Sequence, residues 1–241
     1  MKEIRVTLLI TLTVVAVGML MVSTGTRGAV AASSEAINSA TVITVKATVV
    51  GNPDGSGGGV ARVRCPEGTS VVGGGFNGAP KLRVFVNNKF GNGWRVVGWK
   101  YKPVAPPLTV YARCLRSETA KVSSFTVSQV STSTDPFHVY VPCPRGSAAV
   151  GGGYEADNHL LHIDYSHARG SGWAAQARLG VINAKTLTVT VICLSDPLAR
   201  VTRVVKTFTV PPSQITSDVA VCPIGASVTA EDSVHSICIG S

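Results

Sequence analysis

Cys65-Pro66-Glu67-Gly68-Thr69-Ser70-Val71-Val72-Gly73-Gly74-Gly75-Phe76 decides the fold, because the stretch comes back. It returns as Cys143-Pro144-Arg145-Gly146-Ser147-Ala148-Ala149-Val150-Gly151-Gly152-Gly153-Tyr154. A decayed third copy begins at Cys222-Pro223-Ile224-Gly225. The steps between the leading cysteines are 143 − 65 = 78 and 222 − 143 = 79 residues. Spacing that regular marks an internal repeat.

Each part of the motif has a local physical meaning. Proline after cysteine cannot donate to a strand ladder, so it marks a strand end or an edge. The glycine two residues later permits a turn. Three glycines in a strand-like run pack nothing themselves. They suit a bulge, or a place where a large ring lies over bare backbone. Gly93-Trp94 and Gly172-Trp173 supply a candidate ring in each unit, and tryptophan across from glycine is a known pairing.

Working outward, Leu82–Val86 and Leu161–Tyr165 alternate at a shift of 79 residues. Trp94–Trp99 matches Trp173–Arg178, and Leu108–Cys114 matches Leu187–Cys193. Phe125-Thr126-Val127 matches Phe208-Thr209-Val210. Strand-length β-branched runs between Gly, Pro and Asn turns predict an all-β chain. The expected architecture is tandem, disulfide-stapled β-sandwich or barrel-like repeats of about 78 residues, the third truncated. The units are residues 41–118, 122–198 and 203–241. The partial unit has Ala230-Glu231-Asp232 in place of the glycines and is expected to cap the second unit.

The chain opens as an export signal over residues 1–31. Lys2 and Arg5 precede an uncharged, mostly apolar run from Val6 to Thr26, and Ala29-Val30-Ala31 fits the small-x-small cleavage rule. Residues 32–40 then form a linker. The alternative is an uncleaved membrane anchor, since the run approaches the ~20 residues that span a bilayer. Without the signal the balance is 22 − 3 = 19 basic against 13 − 1 = 12 acidic residues. A basic exported protein is drawn to acidic polymers. Solubility alone also accounts for the charge. No Lys/Arg block of the kind that marks nucleic-acid binding occurs.

Six cysteines in an exported chain imply disulfides. The repeat reduces the pairings, because each unit holds two: Cys65–Cys114, Cys143–Cys193 and Cys222–Cys238. No Cys-x-x-Cys pair speaks for zinc.

Cys-Pro-x-Gly, then Gly-Gly-Gly-aromatic, then Gly-Trp, then Leu-Thr-Val-x-x-x-Cys resembles a repeat in secreted proteins of actinomycetes and related soil bacteria, which have no assigned activity. The likeness covers residues 60–116 and 138–195 well and 219–241 poorly. It implies secretion and supports the same disulfides, and it carries no catalytic residue over.

Candidate chemistry is sparse. Gly73–Gly78 matches the Gly-x-Gly-x-x-Gly pattern, but a nucleotide loop must open a helix, and a second β-like segment follows here. In the second unit His162 and Asp164 alternate onto one face of a strand, with Leu161, Ile163 and Tyr165 on the other. With His159 or His167 at the strand ends, that face is a candidate metal site, and a solvated polar face is the alternative. In the first unit, Leu82, Val84, Val86, Trp94 and Val96 inward leaves Arg83, Phe85, Arg95, Val97, Trp99 and Tyr101 outward. Arginine interleaved with aromatic rings suits sugar stacking, an acidic cell-surface polymer, or contact with the neighbouring unit. The functional expectation is a secreted, non-catalytic module that binds surface polymer or carbohydrate, needing no cofactor. A secreted hydrolase with an unrecognised site and a purely structural envelope protein are the alternatives.

Overall fold

A computed structural model of the chain describes residues 40–49, 58–78, 82–99, 107–180, 183–196, 200–205, 222, 227–231 and 235–240. The expected signal, the linker up to residue 39, Tyr101 and the Phe208-Thr209-Val210 segment lie outside the described residues. Among those described, the regular structure is all strand. In chain order they are β1 (Thr41–Val49), β2 (Gly58–Arg64), β3 (Ser70–Gly78), β4 (Arg83–Lys89), β5 (Gly93–Trp99), β6 (Leu108–Arg116), β7 (Lys121–Ser131) and β8 (Phe137–Pro142). Then come β9 (Ala148–Ala156), β10 (Leu161–Arg169), β11 (Gly172–Leu179), β12 (Lys185–Ser195), β13 (Arg200–Val205), β14 (Ser227–Glu231) and β15 (His235–Gly240).

The protein is all-β, and its strand orders recur. β1-β6-β3, β7-β12-β9 and β13-β15-β14 run in the same order, as do β2-β5-β4 and β8-β11-β10. β4 pairs with β9, which joins two of these trios into one six-stranded sheet, β2-β5-β4-β9-β12-β7. Residues Ile37–Ser241 form one compact unit. The segments 41–118 and 122–198 therefore share a sheet as well as a pattern.

The Cys-Pro turns have matching geometry. Gly68 and Gly146 sit at φ +73° and +84°, a region that glycine enters without a Cβ penalty. Thr69 N–H donates to Pro66 O at 3.2 Å, and Ser147 N–H to Pro144 O at 3.1 Å. The Thr69 and Ser147 hydroxyls donate to the same two carbonyls, each at 2.7 Å. A proline-led turn with positive φ at its third residue is a type II turn.

The glycine runs lie in strands β3 and β9, as the motif predicts. A Cβ on Gly74 would overlap the Trp94 ring, and one on Gly152 would overlap the Trp173 ring. Each indole is fixed by a residue seven positions earlier. Trp94 Nε1–H donates to Asn87 Oδ1 at 2.7 Å, and Trp173 Nε1–H to Ser166 Oγ at 2.8 Å. Both glycine strands also carry a bulge, at Val72 and at Val150. β14 has its bulge at Thr229, so the steps are 150 − 72 = 78 and 229 − 150 = 79. All three bulged residues are fully buried. An extra residue in a strand re-aims its side chain, and here each is turned into the interior.

Two apolar cores result. One gathers Val139, Tyr154, Leu161, Trp173, Leu187, Val189 and Val191, and the other Val71, Val72, Trp94, Val96, Val110, Val150 and Ile192. β12 serves both: Leu187, Val189, Val191 and Cys193 face the first, Ile192 and Leu194 the second. A strand covered on both faces reads as a continuous apolar run, as Val189–Leu194 does apart from Thr190. The C-terminal hairpin was expected to cap the second unit. It does more: Ile237 enters the first core and Ile239 the second. All three expected disulfides are present, Cys65–Cys114, Cys143–Cys193 and Cys222–Cys238.

Candidate functional site

The face predicted from alternation divides in the structure. β4 has a bulge at Phe85, so Val84 opposes Gly98 while Val86 opposes Val97. Directly opposed residues share a face. Val84 thus joins Trp94 and Val96, whereas Val86 lies with Arg95, Val97 and Trp99, against the expectation that it points with Val84. Arg83 opposes Trp99 and stays on that second face.

Much of this face meets the chain itself. Trp99 stacks on the His159 ring at 4.4 Å, and Phe85 meets the same ring edge-on at 6.4 Å. Phe85 also packs against the first core. Arg95 Nη2 donates to Glu155 Oε2 at 2.7 Å. On the aromatic face, the neighbouring segment meets Phe85 and Trp99 through His159, and Tyr101 lies outside the described residues.

The same kind of irregularity re-aims the side chains of the metal reading. β10 bulges at Asp164, so His162 opposes Arg178, Tyr165 opposes Gln176 and His167 opposes Ala174. His162, Tyr165 and His167 therefore share a face. Asp164 pairs with Arg178 at 3.0 Å and accepts from Gln176 Nε2 at 3.3 Å, the residues opposite His162 and Tyr165. His167 packs on Tyr165, ring to ring, at 4.8 Å. Among the described residues no three His, Cys, Asp or Glu side chains converge on a point that suits a metal.

His162 has a different consequence. Partial burial pushes its pKa below the ordinary 6.5, the Arg83 and Arg178 guanidiniums push it further down, and Asp164 opposes them. Between the lowered value and 6.5 the unfolded chain binds the proton and the folded chain does not. Stability is then present above about pH 6.5 and is lost as pH falls. We expect His162→Gln to flatten the dependence of the urea midpoint on pH between about 5 and 7. An unchanged slope would remove His162 as its source.

The surface feature that alternation did not point to is Phe90. It sits in the β4–β5 turn, where Phe90 N–H donates to Gly93 O at 3.0 Å and Gly91 holds φ +58°. The ring is 39% exposed. The Arg62 guanidinium lies 4.9 Å from its centroid and the Arg95 guanidinium 5.1 Å. Arg62 and Arg95 are directly opposed across β2 and β5. Like charges in that register repel, so the ring face and Glu155 are what hold them there. Arg95 Nε is buried and has no hydrogen-bond partner among the described residues. Beside the ring a shallow hollow is lined by Arg64, Cys65, Glu67, Phe90, Gly91 and Asn92. Its floor is rigid, because Asn92 accepts from Val71 N–H at 2.8 Å and donates to Thr69 O at 2.7 Å. In the sequence the signal was Arg62-Val63-Arg64, which places two cations on one face of an edge strand.

Three disulfides suit an oxidising compartment, and among the described residues no helix is long and apolar enough to cross a membrane. No family model matches the chain, and no curated protein matches it.

Proposed function

We propose that the protein is an exported, non-catalytic module that binds an anionic surface polymer, with acidic polysaccharide as the preferred class. The observation that carries this reading is the exposed Phe90 ring with Arg62 and Arg95 against it and Arg64 at its side. A ring offers a stacking surface for a sugar, and guanidiniums offer paired donors to carboxylate or sulfate. The +7 balance beyond residue 31 acts in the same direction at longer range. Glu67, in the same hollow, disfavours a densely charged ligand and selects for spaced acidic groups. Export rests on the N-terminal segment, and the resemblance to secreted actinomycete proteins agrees with it.

The test is binding of the purified protein to polygalacturonate. Arg62→Ala with Arg64→Ala should weaken binding by about tenfold, and raising salt from 0.05 to 0.5 M, as order-of-magnitude conditions, should weaken the native protein similarly. Trp99→Ala is the control. Losing its stack on His159 should lower Tm by roughly 3 °C and leave binding unchanged. Binding insensitive to both arginines and salt overturns the proposal.

A further inference from the structure

The two ends of the six-stranded sheet are treated differently. β2 closes one edge and carries Arg62 and Arg64, the kind of charge that blunts an exposed strand. β7 closes the other over 11 residues, Lys121–Ser131, with Lys121 as its one charge. Among the described residues no strand pairs with its outer side. Its side chains are exposed along nearly the whole length. Phe125, Val127 and Val130 are 39%, 43% and 60% exposed.

The core stops one strand short. Phe125 and Val127 lie opposite Val191 and Val189 on the same face of the sheet. Those two β12 valines are fully buried. The apolar layer therefore continues onto β7, where among the described residues no strand covers it. A long, flat, nearly uncharged edge with apolar side chains is a template for another strand.

The strand's sequence says which strand fits. Read outward from Thr126, it is nearly its own reverse: Phe125 against Val127, Ser124 against Ser128, Ser123 against Gln129, Val122 against Val130. An antiparallel pair related by a twofold axis through Thr126 opposes these positions. Apolar then meets apolar, hydroxyl meets hydroxyl, and Lys121 meets Ser131 rather than another charge. A slip by one residue in the pairing would set Phe125 and Val127 against hydroxyl residues, so the register is specified.

We propose that β7 is a homodimerisation edge, at which a second copy of this chain adds its own β7 antiparallel, centred on Thr126. The two six-stranded sheets join into one. Phe125 and Val127 of both copies close into a single apolar cluster. β2 and its arginines remain at the outer edges, so the dimer would present two Phe90 patches.

The experiment is sedimentation velocity of the disulfide-intact protein across a concentration series. The expected result is a reversible dimer with Kd on the order of micromolar, given one edge of contact. Phe125→Lys combined with Val127→Lys places like charges in register and should raise Kd by at least about tenfold. Phe125→Lys combined with Val127→Glu places opposite charges in register and should return Kd to within about threefold of the native value. Circular dichroism confirms that each variant keeps its strand content. A native protein that stays monomeric to about 100 µM overturns the proposal, leaving the edge to another partner or to none. So does a Lys/Glu variant that dimerises no better than the Lys/Lys variant.

Discussion

Trp94→Ala is expected to destabilise the protein by about 3–5 kcal/mol, the range for deleting a large buried ring. Trp94 is fully buried, and its ring is the atom layer above Gly74. Removing it leaves a cavity that the glycine strand cannot fill, because Gly74 has no side chain to move inward. The change also strips Asn87 Oδ1 of its indole partner. At about 2–4 °C per kcal/mol for a chain of this size, Tm should fall by about 10 °C. Trp94→Phe separates the two contributions. It keeps most of the ring and loses the hydrogen bond, so its cost should be clearly smaller. Trp173→Ala should behave in parallel, since Trp173 covers Gly152 and donates to Ser166. A loss below about 1 kcal/mol in Trp94→Ala would show that the ring is not what fills the space over the glycines.

The second large effect belongs to the disulfides. Cys65–Cys114 and Cys143–Cys193 close loops with separations of 49 and 50 residues, and Cys222–Cys238 closes one of 16. If cross-links act by restricting the unfolded chain, each long loop contributes about 4 kcal/mol and the short one about 3. Paired Cys→Ala variants suit the test, because Cys114, Cys193 and Cys238 are fully buried and a serine hydroxyl there would go unsatisfied. We expect urea unfolding to rank both long-loop variants as less stable than the Cys222/Cys238 variant. The reverse order would mean that local packing around the C-terminal hairpin, through Ile237 and Ile239, outweighs loop entropy.

Much of the fold was legible because its causes are local. Proline and glycine at fixed offsets dictate the Cys-Pro turn, and Gly68 and Gly146 take the positive φ that this turn requires. Three adjacent glycines next to apolar β-branched residues cannot fill space, which calls for an outside ring, and the Gly-Trp strands supply one. Cysteines in step with the repeat leave one pairing within each unit, and that pairing is present. Strand class, turn positions and cross-links follow from residue type and spacing alone.

The candidate site was less legible, and the reason is register. Alternation assumes an unbroken strand, so one extra residue exchanges the faces of everything beyond it. The bulge at Phe85 moved Val86 across the sheet, and the bulge at Asp164 put His162, Tyr165 and His167 on one face, with Asp164 ion-paired to Arg178. Neither bulge has a local glycine to announce it. The meeting of Arg62 with Arg95 over Phe90 likewise depends on pairing between residues 33 positions apart. By itself the sequence determined which segments are strands, where they turn and which cysteines join. Only the tertiary structure decided which side chains face each other, because facing depends on bulges, on the β4–β9 junction and on long-range register, where small energetic preferences are summed over the whole sheet.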